Sequence, residues 1–398
     1  MRRTWSVGGS RAVDTLAAMP RPVRDLSTRG FGQVRLSDRL GDRNNNFDVL
    51  RLAAAMAVLV SHSFALVGER EPLHGFGTSL GNVGVLVFFG ISGLLIRRSW
   101  EYDPSPRSFW FKRALRLLPA LTTLAVITAF VLGPAVTAAR LSTYFASWET
   151  WVYAPRLTFL FPFGASLPGV FEDNVYAGAV NGPLWSLPLE VFAYLVLFAL
   201  GVTGLLKRRG VVTTVAVASL VWAAWWATIM EPALGAAYVL SAFALGAAAY
   251  SWRDRIVLAW PVAAGLLALC VLTGPGPTPL RIIVWTVSSV YLCYWFAYAL
   301  PPIGRQLTRF GDASYGVYIW AFPVQQTIIQ LAGNDASPWL VTGVAVPIVW
   351  LLALASWRLV EAPALRHKPK SRSAPAVGGT PDPVAGHGPD PRSTVERS

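Results

Sequence analysis

The chain has 398 residues, of which 54% are hydrophobic and only 14% charged. Its mean hydropathy of +0.46 excludes an ordinary soluble domain and points to an integral membrane protein. The formal net charge is +13, yet the basic residues fall on alternate connecting segments and not in one patch, which argues against nucleic acid as a partner.

In chain order, residues 1–45 are polar and Arg-rich throughout, with no charged, apolar and small-residue succession of a cleavable signal, and are expected to form a disordered basic cytoplasmic arm. Apolar runs of spanning length then recur at 47–67, 80–98, 110–133, 184–206, 211–230, 233–250, 256–273, 280–300, 312–332 and 338–358. The expected fold is therefore all-α, a polytopic membrane domain over 46–366 with about ten transmembrane helices. The stretch 141–163 is aromatic and interrupted by Pro155 and Pro162, and reads as an interfacial or re-entrant segment. Residues 367–398, rich in Pro, Gly, Ser and Asp, have too little apolar content to fold and are expected to be a cytoplasmic tail. Lys and Arg concentrate before the first run, between the second and third, and after the fourth, sixth, eighth and tenth. By the positive-inside rule this puts both termini in the cytoplasm of a plasma-membrane protein. Cys270 and Cys293 lie in apolar runs without a neighbouring His or acid, so neither a disulfide nor a metal site is expected.

Ionisable groups inside such runs are costly and concentrate at pathways or sites. Arg51 and His62 stand eleven residues apart in the first run, which on a helix places them within about 20° of one face and roughly 16 Å apart along the axis. Arg113 and Arg116 in the third run share a helix face, near the same membrane surface as Arg51. Guanidinium groups bind phosphate oxygens bidentately, so these three could hold a phosphorylated cosubstrate; they could equally be topology anchors. Glu190 in the fourth run matches His62 in depth and follows Pro183 and Pro188, which disturb the helix beside it. It could orient His62, contact a substrate hydroxyl, or satisfy exposed backbone amides. The glycines of the second run, Gly81, Gly84, Gly90 and Gly93, suit close helix packing or a narrow acyl channel.

In order and spacing, these segments resemble the acyltransferase 3 family from about Phe47 to Arg366. The resemblance is carried by the Arg51 to His62 spacing, Phe88-Phe89-Gly90-Ile91-Ser92-Gly93, Arg113 and Arg116 followed by Pro119, and Trp185-Ser186-Leu187-Pro188-Leu189-Glu190. Ser314-Tyr315-Gly316-Val317-Tyr318 and Arg358-Leu359-Val360-Glu361-Ala362-Pro363 complete it. One departure is Ala321 before Phe322-Pro323, where many members of the family place a second His. The resemblance implies transfer of an acyl group, typically acetyl, from cytoplasmic acyl-coenzyme A to a hydroxyl of a cell-envelope carbohydrate or lipid-linked glycan across the membrane. On that reading Arg51, Arg113 and Arg116 hold the coenzyme A phosphates, His62 is the base or transient acyl acceptor, and Glu190 positions His62 or the acceptor. The competing reading is a transporter of a lipid-linked sugar or metabolite that uses the same polar groups as a pathway.

Overall fold

The computed structural model describes residues 33–369 apart from 43, 162–164, 230–233, 275–278, 304–310 and 334; most of the expected arm and nearly all of the tail lie outside these. Three quarters of the described residues (75%) are helical, with almost no strand. We number the helices α1 (Phe47–Leu66), α2 (Leu80–Tyr102), α3 (Pro106–Ile127), α4 (Leu141–Ala146), α5 (Trp148–Thr158), α6 (Ser186–Val202), α7 (Arg209–Trp226), α8 (Leu234–Ser251), α9 (Trp260–Leu272), α10 (Pro279–Ala299), α11 (Ser314–Ala332) and α12 (Pro338–Ser356). Seven segments are long and apolar enough to cross a membrane: α1, α2, α3 extended to Val136, α6 with its preceding turn, α7, α10, and α12 extended to Leu365. The expectation of about ten is not reached among the described residues. The runs at 233–250 and 256–273 form shorter apolar helices, and α11 interrupts its apolar sequence with Gln325, Gln326 and Gln330.

Capping explains where several helices begin. The Ser79 side chain accepts from Asn82 N (3.1 Å) at the start of α2, and Ser105 accepts from Ser108 N (3.4 Å) with Pro106 in the first turn of α3. Both satisfy backbone N–H groups that the first helical turn leaves without partners. The helix α3 runs on through a π-helical turn, Thr128–Leu132, and α12 through another, Trp357–Glu361. Within the interrupted stretch, the described residues form the short helices α4 and α5.

The helix α2 packs against α1, α8 and α10, and its glycines make that possible. A Cβ on Gly84 would lie 2.6 Å from Ala54 O of α1, and one on Gly93 would lie 2.0 Å from Phe243 O of α8. From the other side, a Cβ on Gly246 would lie 2.5 Å from Gly90 O. These glycines serve backbone-to-backbone packing, so of the two readings open from the sequence the structure takes the first. The most buried helix, α11, lies against α1 and α12, where Gly316 leaves no room for a Cβ beside Ala353 Cα (2.8 Å).

The end of the N-terminal arm is docked. Strand β1 (Val34–Arg35) pairs antiparallel with β2 (Val257–Leu258), and Leu36 and Leu40 just after it are buried in the core. Asn46, also buried, ties the start of α1 to the end of α10. Its amide nitrogen donates to Phe296 O (3.1 Å) and Pro301 O (3.0 Å), and its oxygen accepts from Ile303 N (2.7 Å).

Candidate active site

At one end of the bundle, helices α2, α3, α6 and α11 enclose a cavity of about 450 Å³. Arg51 reaches its wall from α1, Lys112, Arg113 and Arg116 from α3, and Lys368 from the segment after α12, while Glu190 and Asp312 are the carboxylates that line it. The three arginines singled out in the sequence thus meet at one cavity. Helix periodicity explains why: Arg113 and Arg116 are one turn apart on α3, and Arg51 occupies the second turn of α1 at the same depth. The far end of the cavity is lined by Phe88, Ser186 and Tyr318. There Ser186 Oγ and Tyr318 OH are 2.6 Å apart, and Tyr318 OH donates to Pro183 O (2.8 Å).

The arginines differ in their partners. Arg116 Nη2 donates to Asp312 Oδ2 (2.6 Å), and its Nη1 lies 3.8 Å from Glu361 Oε2. Arg51 Nη1 bonds Asp48 Oδ1 (3.1 Å) and stands 4.0 Å from the same Asp312 oxygen. Arg113 has no ion pair among the described residues. Its Nη1 donates to Phe109 O (2.7 Å), its Cζ lies 3.8 Å from the centre of the Phe109 ring, and its Nε is buried without a partner. Like Lys368, it is therefore a cation of the cavity with no acidic partner in ion-pair contact among the described residues.

Asp312 precedes α11 and is the hub of this network. Burial alone would raise its pKa, but Arg116 and Arg51, with hydrogen bonds from Ser314, outweigh that and bring it down to about 2. Lys112 Nζ is held by Asp103 Oδ2 (2.7 Å), and hydrogen bonds from Lys112 and Ser108 hold Asp103 below the usual carboxylate range.

Glu190 belongs to this cavity: Ser92 Oγ donates to its Oε1 (3.1 Å), as does Tyr194 OH from the next turn of α6. The structure brings Glu190 together with the arginines, and no contact between Glu190 and His62 is found among the described residues. His62 lies beyond the far end of the cavity. Its ring packs edge-on to Phe322 (5.6 Å between centres), which stands one turn along α11 from Tyr318, and its Nδ1 is buried without a partner. Gln325, on the same side of α11, donates to Leu59 O (2.7 Å) and Ser63 Oγ (2.6 Å), on either side of His62 in α1.

Several of these residues were not singled out from the sequence. Asp312 lies two residues before the Ser314-Tyr315-Gly316 block, and Glu361 lies within the 358–363 block. Both belong to or flank those blocks without a role of their own, because the arginine they face lies in a distant part of the sequence, 196 positions away for Asp312 and farther still for Glu361. Gln325 carried a usable signal, a polar pair with Gln326 inside an apolar helix.

Residues 44–358 match the family described as "Acyltransferase domain". The chain is 32% identical over 339 residues to the "O-acetyl transferase" of Shigella phage Sf6, covering 80% of this chain and 95% of that protein. It is 29% identical over 352 residues to "Nodulation protein 10" of Rhizobium leguminosarum bv. viciae, covering 81% and 93%. No solved structure gives a significant match. With a family match over most of its length and a bundle of spanning helices around one cationic cavity, the chain belongs to the acyltransferase 3 family and is a multi-pass membrane O-acyltransferase.

Proposed function

We propose that the protein transfers an acetyl group from cytoplasmic acetyl-coenzyme A to a hydroxyl of a cell-envelope carbohydrate or lipid-linked glycan on the opposite side of the plasma membrane. The observation that carries this reading is the convergence of Arg51, Arg113 and Arg116 on one cavity whose far end lies one helical turn from the phenylalanine that packs on His62. Five cations and two carboxylates line that cavity, a balance that suits the several negative charges of a nucleotide bearing a diphosphate and a further phosphate. Arg113, without an acidic partner among the described residues, is the first phosphate ligand; Arg116 and Arg51 contribute by exchanging Asp312 for phosphate oxygens. The pantetheine arm then runs inward past Glu190 toward Ser186 and Tyr318.

His62 is the general base. It takes the proton of the acceptor hydroxyl as the alcohol oxygen bonds to the thioester carbonyl carbon; the carbon–sulfur bond breaks, and the leaving thiolate receives that proton from the imidazolium. Atoms and charge balance with no further reactant. Glu190 acts on the donor side, where its hydrogen bonds with Ser92 and Tyr194 fix one wall of the passage. Arg51 and Lys368 line the same cavity, so the beginning and end of the described helical domain lie at one face, in keeping with both termini in the cytoplasm.

The test uses the full chain in lipid nanodiscs with labelled acetyl-coenzyme A and glycans extracted from the envelope. Transfer is expected in the wild type, falling by about 10²–10⁴ in His62→Ala with unchanged thermal unfolding. Undiminished transfer in that variant removes the catalytic role of His62, and flux of a lipid-linked sugar without coenzyme A binding replaces the reading by transport.

A further inference from the structure

Around Phe322 the protein leaves three polar atoms buried with no hydrogen-bond partner: His62 Nδ1, Asn181 Oδ1 and Gln325 Oε1. Such atoms are uncommon, and a group of them calls for a physical explanation. The three are close neighbours. The Phe322 ring packs on His62, a Cβ on Gly182, the residue after Asn181, would stand 3.1 Å from that same ring, and Gln325 touches Leu59 and Ser63 on either side of His62.

The two amides are built alike. Asn181 donates through Nδ2 to Ile319 O (2.9 Å), and Gln325 through Nε2 to Leu59 O (2.7 Å). A backbone carbonyl only accepts, so these partners fix which end of each amide is nitrogen and which is oxygen. Each side chain is therefore anchored by its nitrogen and presents an unused oxygen. The adjacent Gln326 behaves differently: its Nε2 donates to Tyr176 O and Ala179 O, and its Oε1 accepts from Asn174. The unused oxygens are thus not a general property of amides on α11. From Ile319 to Gln325 the row runs about 9 Å along the helix, with His62 facing its middle.

We propose that Asn181 and Gln325 form the acceptor subsite, their amide oxygens accepting hydrogen bonds from hydroxyls that flank the one deprotonated by His62. This rests on the acyltransferase reading above and adds the acceptor's chemistry to it. Two acceptor oxygens beside an imidazole repel carboxylate and phosphate and select donors, so the ligand is a neutral polyol with neighbouring hydroxyls, such as a sugar ring presenting a diol.

The subsite is tested with trans-1,2-cyclohexanediol and cyclohexanol as probes, on the full chain in nanodiscs. With acetyl-coenzyme A, the wild type is expected to favour the diol about 10-fold in kcat/KM, the effect of one additional hydrogen bond. That ratio is expected to fall toward 1 in the Asn181→Leu, Gln325→Leu double variant and to fall in at least one of the single variants. A ratio is unaffected by a loss of folded protein, and Asn181→Leu leaves the packing between α1 and α11 in place should Gln325→Leu fail to fold. Without acetyl-coenzyme A, titrating the diol into protein carrying 15N-histidine is expected to move the His62 ring signals, assigned by their loss in His62→Ala, further than cyclohexanol does. A wild-type ratio near 1, or signals that respond equally to both alcohols, overturns the subsite and marks the three atoms as a site for ordered water only. A diol-specific shift with neither alcohol acetylated leaves the subsite standing and removes the transfer reading instead.

Discussion

Replacing Arg113 and Arg116 in turn by Met separates a ligand-binding cation from one that also holds the fold. Arg113 is buried, makes one hydrogen bond to Phe109 O, and has no acidic partner among the described residues. Met fills most of its volume and keeps contact with the Phe109 ring, so Arg113→Met removes charge with little packing lost. A hydrogen bond to a charged group contributes about 1.5–3 kcal/mol, which corresponds to roughly 10- to 150-fold in affinity for coenzyme A. Arg116 differs, because taking it away leaves Asp312 and the buried Glu361 facing each other without their shared cation. Breaking a fully buried pair costs about 3–5 kcal/mol, and the 27% exposure of Arg116 puts this one near the lower end, about 3 kcal/mol. Calorimetric titration with coenzyme A and thermal unfolding in the same detergent give both numbers. Arg113→Met is expected to unfold within a few degrees of wild type and bind coenzyme A at least 10-fold more weakly; Arg116→Met is expected to show the larger fall in unfolding temperature. Wild-type affinity in Arg113→Met would refute the assignment of phosphate binding to this cluster.

Three further outcomes follow from other parts of the molecule. Asp312 has a lowered pKa, so the stability it contributes is present above the ordinary carboxylate range and is lost as pH falls from about 4 through about 2. Unfolding temperatures of wild type minus Asp312→Asn across that window are expected to converge, by about 2 kcal/mol in total. Gly93→Ala would put a Cβ 2.0 Å from Phe243 O, whereas a Cβ on Gly265 meets nothing within 4 Å. The first is expected to destabilise the fold by about 1–3 kcal/mol through overpacking and so reduce the yield of monodisperse protein in size-exclusion chromatography, while the second leaves that yield unchanged. Leu36→Ala, in the docked end of the arm, is expected to destabilise by about 3 kcal/mol in thermal unfolding, the range for a buried leucine; no change would mean that this segment does not hold the bundle.

The parts of the site legible in the sequence are those governed by local helix geometry. Arg51, Arg113 and Arg116 converge because depth and face follow from periodicity within each helix. Glu190 shows the limit of that reasoning. Depth is one coordinate, and what turns Glu190 toward Ser92, and away from His62, is the lateral packing of α6 on α2, which no periodicity encodes. Asp312 and Glu361 escaped for the same reason, their partner Arg116 being distant in sequence. The number of spans is not settled by apolar content alone: among the described residues seven segments have the length and composition to cross, α9 has only 13 residues, and α11 carries glutamines and is largely buried in protein. The glycines of α2 could be recognised as meaningful, but only the positions of Phe243 and Ala54 across from them decide between packing and a channel.

The glycine seam that locks α2 to α1 and α8 bears on how the bundle can move. Carbonyl oxygens abutting the α-carbons opposite leave no slack for one half of the bundle to rock against the other. On the proposed reading, any opening between donor and acceptor falls to side chains such as the Phe322 ring, which packs beside the imidazole. If the proposed reaction holds, an enzyme built this way hands a group through a wall instead of carrying it across.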